Sequence, residues 1–120
     1  MSTIAVDFDH VVHRYSRGWA DGTIYDEPVP GAFVALTGLM ATHAVFIHTC
    51  RNERQVAQWL NAQGMPAITD ADAGRPEFWN DQTRLLVANR KLPAVVYLDD
   101  RALRFVNWDQ ALADLKQWWL

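Results

Sequence analysis

The chain has 120 residues, half of them apolar, which suits one compact domain with one hydrophobic core. Its net charge of -3 argues against nonspecific binding to a nucleic-acid backbone, so nucleic acid is not indicated as a partner except through a local basic rim. The single Cys50 excludes an internal disulfide, the opening MSTIAVDFD lacks a basic leader, and no apolar run reaches membrane-spanning length; a soluble cytoplasmic protein with no membrane partner is expected.

Thr3 to Val6 is a short run with β-branched residues that predicts a buried strand ending at Asp7. Val11 to Tyr15 and Thr23 to Tyr25 flank a polar stretch, predicting a short hairpin or flap that closes at Pro28 and Pro30. Pro30 suits the first position of a helix carrying Phe33, Leu36, Leu39 and Met40 on one side. Ala44 to His48 predicts a second strand, reaching Thr49. Asn52 and Gln55 resemble a capping pair for a helix that buries Val56, Trp59 and Leu60 and stops at Gly64. Short strands are predicted over Pro66 to Thr69 and Leu85 to Ala88, with Asp70 to Arg84 between them carrying no periodicity. Ala94 to Leu98 predicts a buried strand ending at Asp99-Asp100, Arg104 to Asn107 an edge strand, and Trp108 to Leu120 an amphipathic helix with Ala111, Leu112, Leu115 and Trp118 on one side.

Strands alternating with helices predict an α/β fold: a single-domain Rossmann-like sheet of mainly parallel strands, with helices on both faces. Such sheets bind ligands at the carboxyl ends of their strands. Asp7, Thr49 and Asp99 all stand at such ends. A carboxylate at Asp7 can attack phosphorus and form an aspartyl-phosphate, which divides a hard hydrolysis into two steps. Asp9 is placed to protonate the leaving oxygen and then activate water. The attack brings anions together, and a magnesium ion held by Asp7 and Asp99 would offset their charge. Thr49, just before a helix start, offers a hydroxyl and nearby backbone N–H groups to phosphate. Lys91, one of two lysines beside nine arginines, adds a compact positive charge.

Three stretches resemble the motifs of the haloacid dehalogenase-like superfamily of phosphohydrolases. AVDFDHVVH is similar to its Asp-x-Asp-x-Val motif, VFIHTCR to its strand ending in Thr or Ser, and RKLPAVVYLDDRA to the Lys and acidic-pair motifs of a small subgroup. The resemblance runs from Ile4 to about Trp108. It implies a magnesium-dependent phosphatase with Asp7 as nucleophile and Asp9 as acid and base. It implies phosphate binding by Thr49 and Lys91, metal ligation by Asp7, Asp99 and the backbone carbonyl of Asp9, and a supporting role for Asp100. An aspartate at the second position of the first motif separates phosphatases and phosphomutases from members that cleave carbon–halogen bonds.

The short spans between the motifs leave room for a flap but no cap domain, so an open site is expected, suited to a bulky phosphorylated substrate. Nothing in the sequence decides among a nucleotide, a polynucleotide end and a sugar phosphate. Arg51 and Cys50, beside Thr49, are supporting candidates; Cys50 reads better as a small buried side chain than as a nucleophile. His10 stands next to Asp9 and Arg101 next to the acidic pair, where a salt bridge is the simpler role for the arginine. The four histidines lack a shared zinc-ligand spacing. Most of the six tryptophans are expected in packing. Trp118-Trp119-Leu120 cannot all face one core, which points to a homodimer contact. Two rivals remain: a receiver-type signalling domain, whose acidic pair would come first rather than last, and a catalytically weak relative acting as a phosphate- or protein-binding module.

Overall fold

The computed structural model describes residues 2–120. Its centre is a five-stranded sheet in the order β3-β4-β2-β1-β5, built from β1 (Thr3–Asp7), β2 (Ala44–His48), β3 (Ala67–Thr69), β4 (Leu85–Ala88) and β5 (Val96–Leu98). Every pairing is parallel. The central strands β1, β2 and β4 are continuous apolar runs because both of their faces are covered. Helix α1 (Ala32–Met40) and helix α2 (Glu53–Ala62) pack on one face. There Leu36, Val56 and Leu60 meet Val6, Val45, Ile47 and Val87.

The opposite face is closed by Trp79 and Leu92, which lie on the connections from β3 to β4 and from β4 to β5. Both connections step back across the sheet, and right-handed crossovers put them on the face away from α1 and α2. Neither forms a helix, so the two helices that touch the sheet share one face while coil seals the other. No described helix is long and apolar enough to cross a membrane.

Several predicted elements differ in the structure. Gly31, at φ 84°, is the cap of α1, so Pro30 precedes the helix instead of opening it. The left-handed turn at Gly31 swings the chain out of the flap, and only glycine adopts it without strain. The flap closes at its base on one antiparallel bridge, His13 with Pro28, made by Arg14 N–H to Glu27 O and Val29 N–H to Val12 O. Beyond it no ladder continues, because left-handed residues at Tyr15, Gly18, Ala20 and Gly22 break the pleat. Side chains hold the flap instead: Asp26 accepts from Ser16, and the Tyr25 hydroxyl accepts from Arg17 N–H and donates to Gly18 O.

Strand β5 is half exposed, not buried, because it is a sheet edge and no helix lies over Val96 and Leu98. Residues 104–107 form no strand, since Asn107 caps α3 (Trp108–Asp114) and β5 stays unpaired on that side. Helix α3 continues as a π-helical turn, Leu115–Trp119. Of its predicted apolar side Ala111 is buried, while Leu112 and Trp118 are exposed; α3 packs against no other helix or strand among the described residues. Four of the six tryptophans are exposed: Trp19, Trp108, Trp118 and Trp119.

The unreadable segment after β3 carries a device of its own. Asp70 is fully buried, and the Arg90 guanidinium donates to both its oxygens at 2.6 and 2.8 Å and to Pro76 O at 2.7 Å. This fork ties the two coil connections together over the sheet, and Arg90 holds the Asp70 carboxyl below its ordinary range. The stabilisation from a depressed carboxylate is present above the ordinary value of 3.8 and is lost as pH falls through the lower folded value. Asp70→Asn is expected to cost about 1.5 kcal/mol in urea denaturation at neutral pH, because the buried side chain loses its charge-assisted bonds while the partly exposed Arg90 can still reach water. An unchanged midpoint would show that the fork holds nothing.

Candidate active site

Parallel register brings the predicted residues to one edge. Asp7 is level with His48 on β2, and Val6 is level with Leu98 on β5, so Thr49 and Asp99 each fall one step past a strand end beside Asp7. A cleft of about 260 Å³ opens there, lined by Asp7, Asp9, Thr49, Cys50 and Arg51 together with Asp100 and Arg101. Three flap residues, His10, Tyr15 and Trp19, complete its wall.

Carboxylate oxygens of Asp7, Asp99 and Asp100 lie within 4.8 Å of one another. Burial, then a hydrogen bond with Asp100, pushes the Asp7 carboxyl up from 3.8 to about 7; the Phe8 N–H at 2.8 Å opposes the rise and the Asp99 and Asp100 charges add to it. Three crowded carboxylates with oxygen donors alone suit a hard divalent cation, which would relieve the repulsion that holds a proton on Asp7. Asp100 thus belongs to the cluster as directly as Asp99.

The Asp9 carboxylate points elsewhere. It accepts from His13 Nδ1 at 2.9 Å and from Arg51 Nε at 3.0 and 2.9 Å to its two oxygens. The Asp26 backbone N–H donates to His13 Nε2 at 3.1 Å, which leaves Nδ1 to carry the proton given to Asp9. His13 is fully buried, stacked on Phe8 and edged by Trp59.

Arg51 is equally enclosed, with 3% of its side chain exposed. Its Nη1 donates to Gly22 O of the flap at 2.9 Å, Trp19 lies over its guanidinium at 4.6 Å, and Tyr15 at 5.5 Å. Its Nη2 is buried and, among the described residues, bonded to nothing.

Thr49 is buried; its hydroxyl accepts from Arg51 N–H at 3.1 Å, and Asn52 Oδ1 caps α2 by accepting from Gln55 N–H. Cys50 is exposed at the cleft, not buried, because the chain turns outward between two enclosed neighbours, Thr49 and Arg51. Arg101 combines both roles weighed for it, lining the cleft and lying 3.8 Å from Asp100. His10 likewise lines the cleft and meets Tyr15 edge-on at 4.9 Å.

Asp99 does not line the cleft, but its carboxylate joins the cluster with Asp7 and Asp100. Lys91 joins neither the lining nor the cluster. It sits on the exposed connection after β4, and its ammonium rests over Tyr97, 5.0 Å from the ring centroid. The aromatic face attracts the cation, and that ring belongs to the coil-covered side of the sheet.

No family profile and no curated protein matches the chain. Among solved structures it is similar to a conserved protein from Bacteroides thetaiotaomicron, with a TM-score of 0.52 and 21% identity, covering 97% of this chain and 89% of that one. That likeness speaks for the fold.

Sequence reasoning passed over His13, Tyr15 and Trp19. For His13 a signal existed: it stands four residues after Asp9, with two valines between them to bury it. For Trp19 there was none, because only the folded flap lays it over Arg51.

Proposed function

We propose that the protein is a magnesium-dependent phosphomonoester hydrolase working through an aspartyl-phosphate on Asp7. The observation that carries the reading is the meeting of the Asp7, Asp99 and Asp100 carboxylates within 4.8 Å, beside a cleft that Asp7 and Asp100 line together with Asp9 and Thr49. A magnesium ion on these carboxylates would neutralise charge on the phosphoryl oxygens.

The Asp7 carboxylate attacks phosphorus, the ester P–O bond breaks, and the leaving oxygen takes a proton from Asp9. Water then attacks the acyl phosphate, gives its proton to Asp9, and inorganic phosphate departs with Asp7 restored. The hydrogen bonds favour one oxygen of Asp9 for this role. Asp9 Oδ1 accepts from both His13 and Arg51, whereas Oδ2 accepts from Arg51 alone and keeps a lone pair for the travelling proton. Thr49 and Arg101 supply a hydroxyl and a positive charge to the phosphoryl group. Lys91 would have to leave Tyr97 to join them.

The position of Lys91 outside the cleft favours the second reading, a phosphate-binding module without turnover. Hydrolysis of p-nitrophenyl phosphate separates the two. Release of p-nitrophenol with magnesium and none with EDTA is expected; binding of inorganic phosphate with no hydrolysis would leave the module.

A further inference from the structure

A second, larger cleft of about 720 Å³ opens on the far side of Arg51, between the flap and the first turns of α2. Trp19 and Arg51 line both clefts, so a molecule with its phosphoryl group beside Asp7 extends past them into this space. We propose that the second cleft binds the base of a nucleoside monophosphate. The proposal rests on the phosphatase reading for the placing of the phosphate, and on the cleft itself for the base.

The walls suit a planar aromatic ring. Trp19 from the flap and Trp59 from α2 supply indole surface, and stacking on such rings accepts any base. Gln55 and Gln58, exposed one turn apart on α2, each carry an amide donor and acceptor, the complement of a base edge. A sugar ring would need a polar partner for each hydroxyl. Asn52, Thr23 and Asp21 also line the cleft, but Asn52 Oδ1 is taken by the Gln55 N–H, and Asp21 Oδ1 by the Thr23 N–H and hydroxyl, so the groups left free are fewer than the hydroxyls of a sugar ring with no ring face to stack.

Charge limits the ligand to one phosphate. Arg51 is the cation of this cleft and is already matched by Asp9, while Asp21 adds a negative charge. A second phosphate, or the backbone of a polynucleotide, would meet no free positive charge there.

The boundary residue is itself incomplete. Arg51 is nearly enclosed, yet its Nη2 has no partner among the described residues, and a buried donor left unpaired is costly. Trp19 lies over that guanidinium. A base stacking on the indole draws the ring aside and brings the sugar alongside Arg51, where a ribose oxygen accepts from Nη2.

The test is calorimetric binding to the full chain carrying Asp7→Asn, with magnesium present, so that turnover plays no part. Adenosine 5′-monophosphate should bind at least about tenfold more tightly than ribose 5-phosphate. Trp19→Ala should reduce the advantage to within about threefold, and Trp19→Phe should keep most of it. Trp19 is more than half exposed, so its removal leaves the core intact. Equal or undetectable binding of the two ligands, or an advantage that survives Trp19→Ala, overturns the proposal. So does tighter binding of glucose 6-phosphate or of a 5′-phosphorylated oligonucleotide. If the base advantage is found but the unmutated protein hydrolyses no phosphomonoester, the phosphatase reading falls and the base cleft stands. If p-nitrophenyl phosphate is hydrolysed and no base advantage exists, the cleft assignment falls alone.

Discussion

Asp7→Asn is expected to lower turnover at least about ten-thousandfold, roughly 5.4 kcal/mol in the barrier, while making the metal-free fold more stable above neutral pH. The two effects share one cause. Asp7 is forced against Asp99 and Asp100, with burial as the largest penalty on its charge. A neutral amide keeps the shape, and it can still accept from the Phe8 N–H, but it carries no charge to repel the pair and no nucleophile to form the acyl phosphate. A side chain kept for folding would show the opposite, a loss of stability on replacement. Turnover numbers and melting curves at pH 8 in EDTA read the two effects together. Normal hydrolysis by the folded variant would remove Asp7 from the chemistry, and a lowered melting temperature would show that its charge stabilises the fold.

Magnesium is expected to stabilise the protein far more at pH 8 than at pH 5. The sign follows from Asp7, whose carboxyl is raised from 3.8 to about 7 in the folded chain. Between those values the native state holds a proton that the unfolded chain has released. Stability therefore falls as pH climbs through that window, and the loss is complete above about 7. A divalent cation replaces the proton as the partner of the cluster, and binding to the native state alone raises stability by mass action. Melting temperature followed by tryptophan fluorescence should fall from pH 5 to pH 8 in EDTA and stay nearly level with magnesium. Asp100→Ala should make the EDTA curve shallower, Asp99→Ala less so, since burial is the largest cause of the rise and Asp100 the next; both should weaken the magnesium response. Parallel curves with and without magnesium would dismiss the metal site.

The sheet was legible because buried parallel strands need continuous apolar runs, and Ile4 to Val6, Val45 to Ile47 and Leu85 to Val87 have few other uses in so short a chain. The aspartates at their ends were legible for the same reason, since a polar residue closing a buried run stands at the sheet edge. Edge elements were not. Val96 to Leu98 is as apolar as β1, and what sets it apart is the absence of a covering helix, which its own residues do not encode. The flap was legible at its base, where His13 bridges Pro28, and not at its tip, whose bonds run through the Asp26 and Tyr25 side chains instead of a ladder.

From the sequence alone come the parallel α/β sheet and the order in which Asp7, Asp9, Thr49 and the Asp99-Asp100 pair reach its edge, because burial and strand length act on neighbouring residues. Tertiary structure decided the partners. Asp9 is gripped by Arg51, forty-two positions away, and by His13, held by the Asp26 backbone. Lys91 rests on Tyr97, and Asp70 is locked by Arg90. Such pairings depend on which coil segments crossovers bring together and on the reach of long side chains, distances that no local pattern records.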